Sequence, residues 1–387
     1  MSQVLEYRVP GLARLEGLGG RQCVRPTTAE QVREALVGAG EGQVFHPLGG
    51  GVHAQALPAK EAVILDMRAM DRVLGWDPES CTVTVQAGVT IGALEAYLAG
   101  RGARLGWRPA HPEATVGGIL SSWQPVGHAL WNGSVREACV SLSAVTGEGQ
   151  SYRYLVAPRK SSGPDLRHLF IGGQGRFGVI TSATLGVTRQ ADVRRGVAWD
   201  EVAPEEAIDR LGLLFAQGLR TPWVVYSGQC QRLEVWFWGE RAACEAAQAY
   251  VDGLAGQLLE SPGGFDGWGT IRSGGDPLAR RGMSDAGGAV IWGSLRDLKG
   301  LPAECWAQGV LYEVSAHQAA VHLPADAEVL EEMGVSAQNR SVWWDGRQVV
   351  KPKAASAKVM ATGMSALKAA LDPRGVLPSL SEGEVRS

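Results

Sequence analysis

Apolar residues recur with two different periods along the chain, and these periods predict where helices and strands lie. Thr27 followed three residues later by Glu30 is typical of a helix start, because each side chain can accept a free backbone N–H. Apolar residues at helical spacing continue to Gly38, where glycine favours the end of the helix. A second helix is expected between Thr90 and Gly100. Further helical periods cover 204–216, 240–254 and a short stretch that ends at Asp372.

Alternating and continuous apolar runs predict strands between these helices. In "CTVTVQAG", residues 81–88, valines alternate with threonines, as in a strand with one buried face. In "RLEVWFW", residues 232–238, Leu233, Val235 and Phe237 share one face and tryptophans lie on the other, so both faces are expected to be covered. Because helices and strands do not alternate strictly, the layout is predicted to be α+β. The other predicted strands are 44–48, 62–66, a pair joined by a turn at 146–149, a strand from Val179, 222–227 and 309–323.

Three glycine-rich segments interrupt these elements, and they are the candidate chemistry of the chain. They are "HPLGGGVH" at 46–53, "PAHPEATVGGILSSW" at 109–123 and "GQGRFGVIT" at 173–181. Glycine tolerates the positive φ that turns successive N–H groups toward one anion, and it lets a ligand approach the backbone. The first segment lacks the G-x-G-x-x-G spacing and does not open into a helix, which disfavours a Rossmann site. One extended ligand bound by backbone at three places would explain all three segments.

Composition and charge exclude several classes of function. The 387 residues suit two domains, and the formal net charge of −3 gives no reason to expect a nucleic-acid partner. The six cysteines lie too far apart in sequence for an iron–sulfur or other metal motif, so no metal site is predicted. We find no signal-peptide pattern and no apolar run long enough to cross a membrane, so a cytoplasmic location is expected.

The three glycine-rich segments, in this order, resemble the flavin-linked oxidoreductases of the vanillyl-alcohol oxidase type. "PLGGGVH" is similar to the family's P-x-G-G-G-T-S loop, "PEATVGG" to its second FAD segment, and "GQGRFGVIT" to its third, G-S-x-G-x-L-G-V-I-T. The resemblance covers about residues 20–190. It implies an α+β fold with a two-subdomain FAD-binding domain of the PCMH type at 1–190, and an α+β cap domain with an antiparallel sheet at 191–330. A C-terminal segment, 331–387, would return to the FAD domain and end in a disordered tail.

FAD is the cofactor that this resemblance implies, and the residues expected to bind it follow from the motifs. Val52 stands where the family usually has a hydroxyl residue, and His53 could partly compensate as a donor. The expected cofactor-binding residues are Pro47, Leu48, Gly49, Gly50, Gly51, Val52 and His53 in the first segment; Pro112, Thr115, Val116, Gly117, Gly118, Ser121 and Ser122 in the second; and Gly175, Gly178, Val179 and Ile180 in the third. No motif nominates a catalytic base, since no histidine follows His322.

Two subfamilies share features with the chain, and three functions remain open. "LWNGSVREACVSLSAVTGEG" resembles the FAD-binding subunit of bacterial glycolate oxidase, which implies an FAD-dependent oxidoreductase acting on a small 2-hydroxy acid. Its electrons would pass to an iron–sulfur subunit, beside a larger flavin subunit. Residues 158–181 resemble alkyl-dihydroxyacetone-phosphate synthase instead, which implies a flavoenzyme of ether-lipid synthesis. A catalytically degenerate structural paralogue is the third alternative, favoured by Val52 and by the missing base.

Overall fold

The chain forms two compact units in this computed structural model. One unit lies within Met1–Val126, Val135–Thr188 and Lys351–Ser387, and the described residues of the other lie within Arg189–Val350. The predicted domain roles and their boundaries at 190 and 330 stay predictions. The structure describes residues 4–6, 21–51, 61–107, 112–122, 135–154, 165–191, 193–216, 223–252, 257–260, 289–312, 319–323, 341–344, 347–348 and 354–379. Of the tail after Pro373 that was expected to be disordered, residues 374–379 are described, with Val376 and Leu377 buried, and residues 380–387 lie outside these ranges.

A four-stranded sheet begins the first unit, with the spatial order β1-β2-β4-β3. Its strands are β1 (Val4–Glu6), β2 (Gln22–Val24), β3 (Phe45–Leu48) and β4 (Val63–Asp66). Strands β2, β4 and β3 run parallel, while β1 pairs antiparallel with β2. Helix α1 (Ala29–Val37) connects β2 to β3 and buries Val32 and Leu36 in a core that also contains Phe45 and Leu65. The predicted strands at 44–48 and 62–66 are confirmed.

The cap of α1 differs from the sequence prediction. Thr28, and not Thr27, is the N-cap, and its side chain accepts a hydrogen bond from the Gln31 N–H at 3.2 Å. Gln31 Oε1 accepts in return from the N–H of Thr27 at 2.7 Å. Glu30 instead forms an ion pair with Arg33 on the exposed face. A second hydroxyl residue, followed by an equally suitable glutamine, therefore moves the helix start by one position.

A second sheet of the first unit has the order β5-β6-β10-β8-β9, with β7 on β10. Its strands are β5 (Val73–Asp77), β6 (Thr82–Gln86), β7 (Ala103–Leu105), β8 (Cys139–Val145), β9 (Ser151–Arg153) and β10 (Val179–Arg189). The helices are α2 (Ile91–Ala99), α3 (Val116–Ser121), α4 (Val135–Ala138), α5 (Arg167–Phe170) and, from the end of the chain, α10 (Ala354–Leu371). Thr90 caps α2, and the hairpin with its turn at 146–149 joins β8 to β9, as predicted.

The second unit contains one nine-stranded sheet with the order β14-β11-β13-β12-β16-β17-β15-β18-β19. Its elements are β11 (Val193–Trp199), α6 (Pro204–Ala216), β12 (Trp223–Ser227), β13 (Arg232–Gly239), α7 (Arg241–Asp252), β14 (Gln257–Glu260), β15 (Ala289–Gly293), α8 (Leu295–Lys299), α9 (Ala303–Gln308), β16 (Val310–Tyr312), β17 (Ala319–Leu323), β18 (Ser341–Trp344) and β19 (Arg347–Gln348). All of its strand pairs are antiparallel.

One strand prediction in the second unit is wrong. Residues 309–323 do not form a single strand, because β16 and β17 pair antiparallel with each other. The chain must therefore reverse its direction between them, and an apolar run alone does not reveal that reversal. The alternation in β13 is confirmed: Leu233, Val235 and Phe237 are buried in the core, and the tryptophans on the other face are partly buried.

Candidate cofactor-binding site

The first glycine segment begins where β3 ends. Strand β3 pairs in parallel with β4, so that Leu48 lies opposite Asp66 at the carboxyl edge of the small sheet. Gly49, Gly50 and Gly51 follow directly, and Gly51 has a φ of +71°. Glycine adopts such a left-handed φ without the steric cost that a side chain would add, as the sequence suggested. Val52 and His53 lie outside the described residues.

Gly49 brings the first segment against the second. A Cβ atom at Gly49 would lie 2.0 Å from Thr115 Oγ1 and 3.1 Å from Thr115 Cβ. No side chain fits in that space, because non-bonded carbon atoms pack at about 3.5–4.0 Å. The absence of a side chain at Gly49 therefore allows the backbone after β3 to contact the threonine that begins α3.

The second segment is fixed by hydrogen bonds within the protein. Thr115 Oγ1 caps α3 by accepting from the Gly118 N–H at 3.2 Å. The Val116 N–H donates to the Val89 carbonyl at 2.9 Å, and the Gly117 N–H donates to the Ala87 carbonyl at 2.7 Å. The first amides of α3 are thus already bound by protein acceptors, so hydroxyl groups are what this segment can offer a ligand.

Other expected residues of the second segment have distinct environments. The Ser122 hydroxyl is buried and has no hydrogen-bond partner among the residues described, although buried hydroxyls are normally paired. The carbonyl of Pro112 accepts from the Gly92 N–H at 2.9 Å, which places Pro112 at the start of α2. Gly117 is required for close packing, since its Cβ would lie 2.8 Å from that of Ala87.

The third segment contacts both of the others. The N–H of Gln174 donates to the Ser121 carbonyl at 2.9 Å, at the end of α3. Gly175 has a φ of +76°, and a Cβ there would lie 3.1 Å from Pro47 Cγ, just before the first glycine run. Gly178 is different, because its Cβ would lie 2.6 Å from the ring of Phe170. It therefore lets β10 begin close to α5.

The structure thus brings part of the expected set together within one unit. Pro47, Gly49, Thr115, Ser121 and Gly175 are linked by direct contacts between the three segments. Other expected residues have their contacts elsewhere or are buried in the core. They include Pro112 at α2, Gly117 at Ala87, Gly178 at Phe170, and the core residues Val116, Val179 and Ile180.

Sequence reasoning missed the charged groups around the first segment. Burial, together with the smaller effects of the charges of Arg176 and Arg21, lowers the pKa of His46 in β3 to about 4. His46 is therefore neutral at pH 7 and lies close to two guanidinium groups. Arg176 was visible as the only charged residue inside "GQGRFGVIT", although its approach to β3 could not be read from that motif.

A buried carboxylate organises two more arginines at the same edge of the small sheet. Asp66 has no exposed side-chain surface and pairs with Arg25 at 2.9 Å and with Arg68 at 2.8 Å. Burial raises the pKa of Asp66, but the hydrogen bonds and charge of Arg68, together with Arg25, more than offset this and hold the pKa below 3.8. Asp66 is thus ionised, and the two arginines leave a net positive charge, which suits an anionic ligand nearby.

Comparisons with known proteins define the class of this site. The family described as "FAD binding domain" matches residues 21–154, which include the first two glycine segments. Residues 21–154 therefore match an FAD-binding domain, and the predicted cofactor, FAD, is confirmed. The predicted resemblance to the FAD-linked oxidoreductases of this superfamily is confirmed as well.

Individual relatives give the extent of that similarity. The chain is 32% identical over 129 residues to the uncharacterized FAD-linked oxidoreductase YgcU of Escherichia coli strain K12, covering 33% of this chain and 27% of that protein. It is 30% identical over 162 residues to the glycolate oxidase subunit GlcE of the same strain, covering 40% of this chain and 46% of that protein. The chain therefore matches less than half the length of these curated relatives.

A solved structure supports the fold over nearly the whole chain. An alkyldihydroxyacetonephosphate synthase superposes with a TM-score of 0.72 over 93% of this chain and 76% of that chain, at 17% sequence identity. The predicted fold class, α+β with a PCMH-type FAD-binding domain and an antiparallel cap sheet, is confirmed. Within the described ranges, no helix is both long and apolar enough to span a membrane.

The residues of the site fit FAD on two structural observations. The three segments meet through Gly49 with Thr115, Gly175 with Pro47 and Gln174 with Ser121, which suits a ligand that all three segments bind. In addition, the Ser122 hydroxyl is buried without a partner in the part of the chain that the structure describes. A ligand phosphate or ribityl oxygen would satisfy such a group.

Proposed function

We propose that this chain is the FAD-binding part of an oxidoreductase that acts on a small 2-hydroxy acid and passes the electrons to a partner. The observation that carries the proposal is the contact of all three glycine-rich segments within one unit, through Gly49 with Thr115, Gly175 with Pro47 and Gln174 with Ser121. Three separate contacts between the segments suit an extended cofactor better than a small anion.

The chain's residues would divide the work of binding between backbone and side chains. The amides of Gly49, Gly50 and Gly51 would bind the diphosphate, with Val52 and His53 completing the loop. The hydroxyls of Thr115, Ser121 and Ser122 would donate to phosphate or ribityl oxygens, and Gly175 would pass close to the cofactor. When bound, FAD supplies a two-electron acceptor for a hydride.

The 2-hydroxy-acid class and the partner rest on similarity to the glycolate oxidase subunit GlcE. Because that relative is by name one subunit of an oxidase, we propose that this chain also has partners. An iron–sulfur electron-transfer subunit and a larger flavin subunit are the partners that the resemblance implies. Cytoplasmic location is part of the same proposal.

A second candidate is a flavoenzyme like alkyl-dihydroxyacetone-phosphate synthase. Its support is the similarity of residues 158–181 to that family, including the Ser-Gly-Pro-Asp step at 162–165. In that case the substrate would be an acyl-dihydroxyacetone phosphate and not a 2-hydroxy acid. The two candidates share the cofactor site and differ in the substrate that reacts.

The test is a visible spectrum of the purified protein with FAD, followed by anaerobic addition of glycolate, D-lactate or an acyl-dihydroxyacetone phosphate. We expect bound flavin whose absorbance bleaches with a 2-hydroxy acid. Bleaching or turnover only with the phosphate ester would establish the second candidate. A protein that binds no FAD after reconstitution would contradict both and leave the structural paralogue.

A matched pair of glycine variants assigns binding to the site. Gly49→Ala adds a methyl group where Thr115 leaves no room, whereas Gly212→Ala adds one in α6 with no atom within 4 Å. We expect the first variant to weaken FAD binding by about tenfold or more, a change of about 1.4 kcal/mol, and the second to leave it unchanged. Equal affinity in both variants would place the cofactor elsewhere.

A further inference from the structure

The C-terminal turn, residues 368–377, is organised by a buried ion pair. The Asp372 side chain has no exposed surface, and Lys368 Nζ donates to its Oδ2 at 2.6 Å. The same carboxylate accepts from the N–H groups of Val376 at 2.9 Å and Leu377 at 3.0 Å. Charge-assisted hydrogen bonds of this kind fix the shape of the turn after α10.

On one side, the C-terminal turn binds the subdomain of the small sheet. The carbonyl of Val376 accepts from the Phe45 N–H at 2.7 Å, at the start of β3. Arg374 donates to the carbonyl of Val37, the last residue of α1, at 3.1 Å and to that of Ala39 at 2.6 Å. These bonds hold the beginning of the strand that leads directly into the first glycine segment.

On its other side, the turn binds the subdomain of the six-stranded sheet. Lys368 Nζ donates to the Arg176 carbonyl at 2.7 Å, inside the third glycine segment. The Gly147 N–H, in the turn between β8 and β9, donates to the carbonyl of Leu371 at 3.0 Å. A Cβ at Gly147 would lie 2.1 Å from Asp372 Oδ1, so this contact depends on glycine.

We propose that Lys368 and Asp372 are positioning residues that hold the first and third glycine segments at the spacing FAD requires. The proposal rests on the proposed function for its ligand. Lys368 bonds the residue next to Gly175, and Gly175 contacts Pro47, while the same turn bonds Phe45 at the other end of β3. The Lys368–Asp372 ion pair therefore connects the first and third glycine segments through the C-terminal turn. It lies outside residues 21–154, to which the FAD-binding family was matched.

The primary test compares Lys368→Met with Lys299→Met. The second variant makes the same chemical change in the exposed Lys299–Asp209 ion pair of the other unit. At a temperature where both variants are folded, we expect FAD to bind Lys368→Met about tenfold more weakly than wild type, and Lys299→Met to bind normally. Lys368→Arg retains a cation and should recover part of the affinity, which a loss of packing alone would not explain.

Amide hydrogen exchange without FAD tests the same mechanism independently. In Lys368→Met, exchange should become faster in the peptides 45–51 and 172–178 and stay unchanged in helix α2 at 91–99. Unchanged exchange in the two glycine segments overturns the positioning role, whether or not the wild type binds FAD. If the wild type fails to bind FAD but exchange in Lys368→Met is still faster in these peptides, the result contradicts the proposed function and not the positioning role.

Two further measurements keep the proposal testable if Lys368→Met does not fold. Arg374→Met removes only the bonds to Val37 and Ala39 and leaves the buried ion pair in place, and it should weaken FAD binding by a smaller factor. In the wild type, FAD should slow exchange at Phe45, Val376 and Leu377 together with the glycine segments. Protection of the glycine segments without protection of the C-terminal turn would overturn the proposal.

Discussion

The contact between Gly49 and Thr115 predicts a large effect from a single added methyl group. In Gly49→Ala the new Cβ would lie 2.0 Å from Oγ1 and 3.1 Å from Cγ2 of Thr115, which is 2% exposed. Forcing an extra methyl into a packed interior costs about 1–3 kcal/mol. If Thr115 rotates away, α3 also loses its N-cap, which is worth about 1 kcal/mol. We therefore expect the free energy of unfolding of this unit to fall by about 2–4 kcal/mol.

A double-mutant cycle separates this clash from a general effect of alanine. Thr115→Ala removes Oγ1 and Cγ2, so Gly49→Ala should cost about 1–2 kcal/mol less in that background than in the wild type. Thr115→Ser keeps Oγ1 and should give no such relief. The measurement is chemical unfolding, with Gly212→Ala as the control, which should be neutral or stabilising because its helical site is open. A Gly49→Ala protein within about 0.5 kcal/mol of wild type, or one that Thr115→Ala does not relieve, would refute the reasoning.

Three further predictions concern buried polar groups. Asp66→Asn should lower stability by about 2–3 kcal/mol at neutral pH. Since the folded pKa of Asp66 lies below 3.8, the wild type should lose this contribution as pH falls through that lowered pKa, and unfolding curves of the variant should be flatter at acid pH. His46 has a folded pKa of about 4 against 6.5, so its contribution is present above pH 6.5 and lost as pH falls toward 4, and His46→Gln should flatten stability over that range. Tyr226→Phe removes a buried hydrogen bond in the second unit and should lower that unit's stability by about 1–2 kcal/mol in calorimetry; an unchanged transition would contradict the assigned bond.

Local patterns were enough to predict about half of the helices and strands that the structure describes. The alternation of β6, the cap of α2 at Thr90 and the turn between β8 and β9 depend on residues close together in sequence. Two predictions failed where the local pattern had two equivalent solutions. Thr27 and Thr28 are each followed at the right spacing by a suitable acceptor, and only the folded backbone selects Thr28. The apolar residues at 309–323 give the same sequence pattern whether they form one strand or two strands that run in opposite directions.

The sequence predicted the candidate site as three separate segments, but sequence patterns could not show which residues of these segments contact each other. Glycine marks a position that needs positive φ or close approach, but it does not say which atom approaches. Thr115 against Gly49 and Pro47 against Gly175 are such partners. His46 gave no signal of its own, because its lowered pKa comes from burial and from arginines distant in sequence.

The sequence by itself determined the three glycine segments, the class of cofactor that they indicate, and the periods of the helices and strands. Each of these depends on residues that are close together in sequence. Tertiary structure alone decided how the segments meet. Lys368 bonds a carbonyl 192 positions away, and Asp66 pairs with an arginine 41 positions away. The physical reason is that hydrogen bonds and ion pairs of this kind depend on distance in space, which the chain acquires only when it folds.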